Sequence, residues 1–239
     1  MQTQRTPSRF AAVAGVVTLA GLYWLPFRGW FRHWGATPEE VARPMAGDAL
    51  IADPTLEETA AVTVDAPPDD IWPWLVQIGY QRGGLYSYDW LDRLFGILDR
   101  PSATRILPEL QQLSLGDRIS FGREGPTRQE LTVSVLEPPR ALALSARAGG
   151  MDWVWQWGLY PIDDERTRLV ARSTERVPGN PLWWLALQIT DPAAFVMGRK
   201  MLLNLKDRAE KLHAERRSEL DRSAAVAQAE ASVGGPAPR

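Results

Sequence analysis

The chain has 239 residues, 45% hydrophobic and 23% charged, with a net charge of −2. These are globular proportions, and so small a charge supplies no basic field for nucleic acid, which excludes that class of partner. The chain has no cysteine and only two histidines, His33 and His213, near opposite ends. That removes disulfides, thiolate nucleophiles, Cys-ligated metals and multi-His sites, so no metal or cofactor is expected. Tryptophan stands out, at 11 residues. Such large amphipathic rings suit apolar cavities and membrane interfaces.

Phe10 to Phe27 carries 18 residues without a charge. As a helix it would be roughly 27 Å long, close to the ~30 Å hydrocarbon core of a bilayer. Tyr23, Trp24, Trp30 and Trp34 cluster at its C-terminal end, where an aromatic belt would sit. The following LPFRGWF lacks the small residues of a signal-peptide cleavage site. The reading is an N-terminal tail and single-pass membrane anchor, residues 1–33. Arg5 and Arg9 precede the segment and Arg28 and Arg32 follow it, so charge does not assign the side of the membrane.

Residues 34–56 read as a capped helix and linker. Thr37 is the N-cap, Pro38 sits at N1 and Glu40 at N3 completes a capping box. The plain reading is a spacer between anchor and domain.

The domain proper is expected over residues 57–213. Glu57 to Val64 is rich in β-formers and stops at Asp65-Ala-Pro-Pro. A helix follows, with Asp69 and Asp70 in its first turn and Ile71, Trp74, Leu75 and Ile78 on one face. A second short helix is expected over Tyr88, Leu91, Leu94 and Phe95, and Ser102 is a candidate cap for a third. From Leu115 the pattern changes to strands: Arg118–Phe121, Gln129–Leu136, Ala141–Ala146, 152–160 and Thr167–Val177. Short links between consecutive strands mean an antiparallel meander. Asp191-Pro192 is the pattern of an N-cap followed by N1 proline, so a long helix is expected from there to about His213. Phe195, Gly198, Leu202, Leu205, Ala209 and Leu212 form its apolar stripe, with Met201 beside it. Residues 214–239 read as a disordered tail. One sheet with helices on one face is an α+β solution.

Several phrases then carry a likeness. They are Asp65-Ala-Pro-Pro-Asp-Asp-Ile-Trp-Pro-Trp-Leu-Val-Gln-Ile-Gly79, Arg82-Gly-Gly-Leu-Tyr-Ser-Tyr-Asp-Trp-Leu91, Leu115-Gly-Asp117 and Asp191-Pro-Ala-Ala-Phe-Val-Met-Gly-Arg-Lys-Met-Leu202. Together with the element order they resemble the START-like superfamily, also called SRPBCC, which includes the polyketide cyclase/dehydrase and lipid-transport group. The resemblance implies a helix-grip fold, a curved antiparallel sheet around a long C-terminal helix. It also implies an apolar cavity that takes a hydrophobic small molecule or lipid. It implies no single activity.

Candidate ligand-binding residues follow from these patterns. Trp153, Trp155 and Trp157 share one face of a strand and are either a cavity wall or a filled core. Tyr86, Tyr88 and Asp89 could orient a polar head, or Asp89 or Ser87 caps a helix while the rings pack. Trp74, Phe195, Gly198, Met201, Leu202 and Leu205 complete the set from the helices. Arg118, Arg168 and Arg172 on strands read as solvent-facing. Pro181 to Thr190 is apolar but ten residues long, too short to span a bilayer, and reads as packing before the long helix. His213 is expected to complement the end of that helix. The expectation is a membrane-tethered, non-catalytic binding domain for a hydrophobic small molecule or lipid. The alternatives are a cyclase- or isomerase-type enzyme and a structural membrane protein with a closed cavity.

Overall fold

A computed structural model describes residues 27–123 and 128–233. The expected anchor, apart from Phe27, lies outside the described residues. Among the described residues no helix is long and apolar enough to cross a membrane.

Residues 27–32 are helical and lead to α1 (Pro38–Ala42). Strand β1 (Leu56–Val64) is followed by α2 (Pro68–Val76) and α3 (Asp89–Leu94). Five strands come next: β2 (Arg118–Phe121), β3 (Gln129–Glu137), β4 (Ala141–Ala148), β5 (Met151–Pro161) and β6 (Thr167–Arg176). Helix α4 (Pro181–Val233) closes the chain. The sheet has six antiparallel strands in the order β1-β6-β5-β4-β3-β2. The meander is thus the expected one, and β1 is added at its edge beside β6.

One face of the sheet holds the main core. Leu144, Trp157, Leu159 and Leu169 from the strands meet Ile71, Trp74, Leu75 and Ile78 from α2 and its end. Met201, Leu202, Leu205 and Ala209 of α4 join the same cluster. The 3.6-residue periodicity of both helices delivers this stripe to the strand face that alternates with period two.

The opposite face is not left to solvent. Residues 36–51 cross it as a strap: Met45 packs with Ala61 and Val170, and Ile51 with Ala143 and Val154. The capping box is as expected, with Thr37 accepting from the Glu40 amide. The Glu40 side chain also pairs with Arg168, at 2.6 Å. Arg172 is 2% exposed. Its guanidinium donates to Thr59 Oγ1 at 3.0 Å, Asp48 Oδ2 at 2.8 Å and the carbonyls of Glu40 and Val41 at 3.1 and 2.8 Å. Gln156 binds the strap as well, accepting from the Gly47 amide at 2.8 Å and donating to Asp48 Oδ1 at 2.6 Å. The segment is therefore more than a spacer. The solvent-facing expectation fails for Arg172 because the strap covers its side of the sheet and supplies the oxygens that satisfy it. Arg118 is exposed, as expected, and pairs with Glu130 at 2.8 Å.

Helix α4 differs from expectation at both ends. It starts at Pro181, where Asn180 Oδ1 accepts from the Trp183 amide at 3.1 Å. Asn180-Pro181 is the same cap-then-proline pattern as Asp191-Pro192, eleven residues earlier. Pro192 lies inside the helix, and Asp191 is engaged by Arg28 and Arg32 rather than capping. At the other end the helix runs on past His213 to Val233. Residues 214–233 are rich in Ala, Glu and Arg, strong helix formers, so the expected tail is helical that far. His213 thus has no helix end to complement. Its Nδ1 lies 2.7 Å from Asp70 Oδ2, and Arg216 also engages Asp70, tying α4 to α2. The helix expected after Ser102 is reduced to a 3-10 turn, Pro108–Leu110.

Candidate functional site

Between the sheet and α4 lies a cavity of about 460 Å³, within the ordinary range for small-molecule sites. Its sheet wall includes Trp153, Trp155, Phe121 and Ala171. Its helix wall is Phe195, Gly198, Met201 and Leu202 of α4. Phe31 and Trp34 line it from the chain that precedes α1, and Leu85, Phe95 and Ile97 from the region of α3. The lining is largely apolar and aromatic.

The two alternatives for the tryptophan strand are both realised, at different positions. Trp153 and Trp155 line the cavity, with rings stacked at 5.8 Å. Trp157 is 1% exposed and belongs to the packed core, with its ring 4.5 Å from that of Trp155. The strand therefore passes from core to cavity along one face. Phe195, by contrast, closes the helix side against Phe31 and Trp30, at ring distances of 5.4 and 5.7 Å.

Other candidates lie elsewhere. Trp74 and Leu205 are buried in the core. Tyr86 is fully buried, and its hydroxyl donates to the Trp74 carbonyl at 3.1 Å and accepts from Gln77 Nε2 at 3.0 Å. Burial pushes its phenol pKa far above the usual value. Its backbone is left-handed, φ 56°, and is held there by Asn204 donating to its carbonyl at 2.7 Å and Ser102 Oγ accepting from its amide at 3.0 Å. Tyr88 is the N-cap residue of α3 but makes no side-chain cap. Asp89 accepts from Ser102 Oγ at 2.6 Å instead of capping, and Ser87 Oγ donates to Asp92. Neither Tyr88 nor Asp89 lines the cavity, whereas Ser87 and Leu85 do. The Tyr-Ser-Tyr-Asp phrase is thus mainly a hydrogen-bonded corner, and Ser87 alone of its residues lines the cavity.

The carboxyls of the cavity are ones that sequence patterns did not single out. Glu58 of β1 and Glu175 of β6 line it, together with Arg32 and Ser173. The strand register explains their meeting. Glu58 is paired with Ser173, which is paired in turn with Trp155; Glu175 is paired with Trp153. Residues 58, 173, 175, 153 and 155 therefore share one face. Trp153 Nε1 donates to Ser173 Oγ at 2.9 Å. Arg32 Nε lies 3.7 Å from Glu58 Oε1, too far for a hydrogen bond. Asp191, 2% exposed, takes Arg28 at 2.7 Å and Arg32 at 3.1 Å. Burial, then repulsion from Asp191, raises the Glu58 carboxyl to about 7 against the pull of Arg32. Burial and Asp191 raise Glu175 in the same way. Alternation of Glu57 with Glu58 on a strand was the available signal, but which of the two faces inward depends on register. Among the described residues no group of His, Asp and Glu is arranged to hold a metal ion.

No protein-family model and no curated protein matches the chain. Solved structures similar to it include an aromatase/cyclase from a Streptomyces species, 18% identical over 65% of this chain and 94% of that one, TM-score 0.42. Norcoclaurine synthase from Thalictrum flavum is 15% identical over 67% and 87%, TM-score 0.41. A conserved protein from Geobacillus kaustophilus is 15% identical over 66% and 97%, TM-score 0.40. The element order is the stronger guide: a strand, short helices, a five-strand meander and a long helix laid across the sheet. That architecture is a helix-grip fold.

Proposed function

We propose that the protein is a membrane-tethered domain that binds a hydrophobic small molecule or lipid between its sheet and α4. The observation that carries this reading is the aromatic-walled cavity of about 460 Å³. A sheet–helix interface filled by its indoles would instead favour a purely structural role. Burial of apolar ligand surface would drive binding, at about 25 cal/mol per Å² before the costs of association.

The tether rests on the uncharged stretch from Phe10 to Phe27. That stretch leads directly into Phe31, Arg32 and Trp34, which line the cavity. Exposed Phe27 and Trp30 adjoin it, and Trp90, Leu94 and Phe95 are exposed on and beside α3. Apolar surface beside a cavity is suited to a bilayer from which an apolar ligand could pass.

Gly198 offers the direct test. It lines the cavity on mid-helix, and a Cβ added there would meet nothing within 4 Å. Gly198→Leu should keep the fold, since it improves helix propensity, and should abolish binding of Nile red, a neutral lipophilic dye. Unchanged dye binding would reject the cavity as the site. Full-length protein recovered in the soluble fraction, rather than resisting carbonate extraction with membranes, would reject the tether.

A second reading, acid–base catalysis on the bound molecule, is favoured by the two raised carboxyls that face the cavity. The enzyme candidates Tyr86, Tyr88 and Asp89 do not support it, since none of them lines the cavity.

A further inference from the structure

We propose that the cavity selects a lipophilic amine, its cationic head held by Glu58 and Glu175 beside the stacked rings of Trp153 and Trp155 and its apolar body lying along α4. This rests on the cavity being the binding site and adds the chemical class of the ligand.

Three observations lead to it. The first is charge. The polar end of the cavity is lined by Glu58 from β1, Glu175 from β6 and the arginines Arg32 and Arg199, and Asp191 from α4 lies behind it, close enough to act on both glutamates. Facing them are Arg28 and Arg32 from the helical residues 27–32, both committed to Asp191. Arg199, also from α4, lies over the Trp34 ring at 4.9 Å. Three carboxyls thus face three arginines, but Arg28 and Arg32 are hydrogen-bonded to Asp191 and Arg199 lies over Trp34, so Glu58 and Glu175 are left without a hydrogen-bonded cation among the described residues, which an ammonium group would supply. Burial is the main cause of the raised Glu58 and Glu175 carboxyls, and repulsion from Asp191 adds to it.

The second is hydrogen bonding. Glu58 Oε1 is buried and has no hydrogen-bond partner among the described residues. An ammonium group brings three donors to such an oxygen. The third is register. Glu175 is the cross-strand partner of Trp153, and Ser173, beside Glu58, is the partner of Trp155. Carboxyls and indole faces are thus adjacent on one sheet face, and a cation close to a desolvated indole face is attracted by its quadrupole. A fatty acid would place its carboxylate against Glu58 and Glu175. An alcohol would gain the hydrogen bond without the charge.

The test uses the full-length chain in lipid nanodiscs and three probes with one body: 4-phenylbutylamine, 4-phenylbutanol and 4-phenylbutanoate. Each is titrated calorimetrically and by displacement of Nile red. At pH 8 the amine should bind at least about tenfold more tightly than the alcohol, and the carboxylate most weakly, since one well-placed ion pair is worth about that factor. Lowering the pH to 6 should weaken the amine about tenfold as Glu58 takes up a proton, and leave the alcohol unchanged. Glu58→Gln should remove the amine's advantage and its pH dependence while the alcohol still binds. The wild-type pH profile tests the idea even if that variant folds poorly. Equal affinity for amine and alcohol, or preference for the carboxylate, would overturn it. Nile red bound with no displacement by any probe would overturn it too, while leaving the cavity reading intact. Loss of Nile red binding altogether would remove the cavity reading and this one with it.

Discussion

Glu58 and Arg32 approach to 3.7 Å at the polar end of the cavity, yet they form no hydrogen bond, because Arg32 reaches instead for Asp191 at 3.1 Å. Asp191 is nearly buried and draws two guanidinium groups to itself. Glu58 is left with a charge that is costly to express, and its carboxyl rises to about 7.

That shift links stability to pH. Its ordinary value is 4.5, so between about 4.5 and 7 the folded state keeps a proton that the unfolded state has released. The contribution of Glu58 to stability is therefore full below pH 4.5 and is lost as pH rises to about 7. Glu58→Gln should stabilise the protein by about 1–3 kcal/mol at pH 8 and have little effect at pH 4. Urea unfolding of both proteins across that range is the measurement. Equal stabilisation at both ends would mean that Glu58 titrates normally.

Arg172 is the polar centre of the strap-covered face. It is 3% exposed in its side chain and joins β1, β6 and the strap through Thr59, Asp48 and two carbonyls. Arg172→Ala should cost about 3–5 kcal/mol, because it strands several buried acceptors at once. Arg172→Lys should recover only part of that, since a lysine cannot fork to them all. Denaturation midpoints decide it, and a loss near zero for the alanine variant would show that the strap contributes little to stability.

Trp157 and Trp153 provide a contrast within one strand. Trp157 is 1% exposed in the core, so Trp157→Ala should destabilise by about 3–5 kcal/mol. Trp153 lines the cavity, so Trp153→Ala should cost less stability, about 1–2 kcal/mol, yet weaken Nile red binding by more than tenfold. Paired unfolding and dye titrations separate the two roles. Similar stability losses in both variants would contradict the division of the strand into core and cavity.

Much of this architecture is legible in local pattern. The periodicity of α2 and of the α4 stripe, the capping box at Thr37 and the strand run from Arg118 to Arg176 follow from propensities that act over a few residues. So does the shared face of Trp153, Trp155 and Trp157, which strand geometry imposes. Local pattern misleads at Asp191-Pro192, where an equally good start lies eleven residues upstream and the helix runs through the proline. It also misleads at Arg172, because the chain that covers it comes from more than a hundred residues away.

The amino-acid sequence by itself determined the elements, the parity of the tryptophan strand and the stripe of α4, since each depends on backbone geometry over neighbouring residues. Tertiary structure decided which indoles are wall and which are core, because that depends on where Met201 and Leu202 come down on the sheet. It also decided the chemistry of the cavity. Glu58, Glu175 and Asp191 are ordinary surface residue types along the chain. Only the pairing of β1 with β6, and the position of α4 against residues 27–32, bring them together and remove them from water.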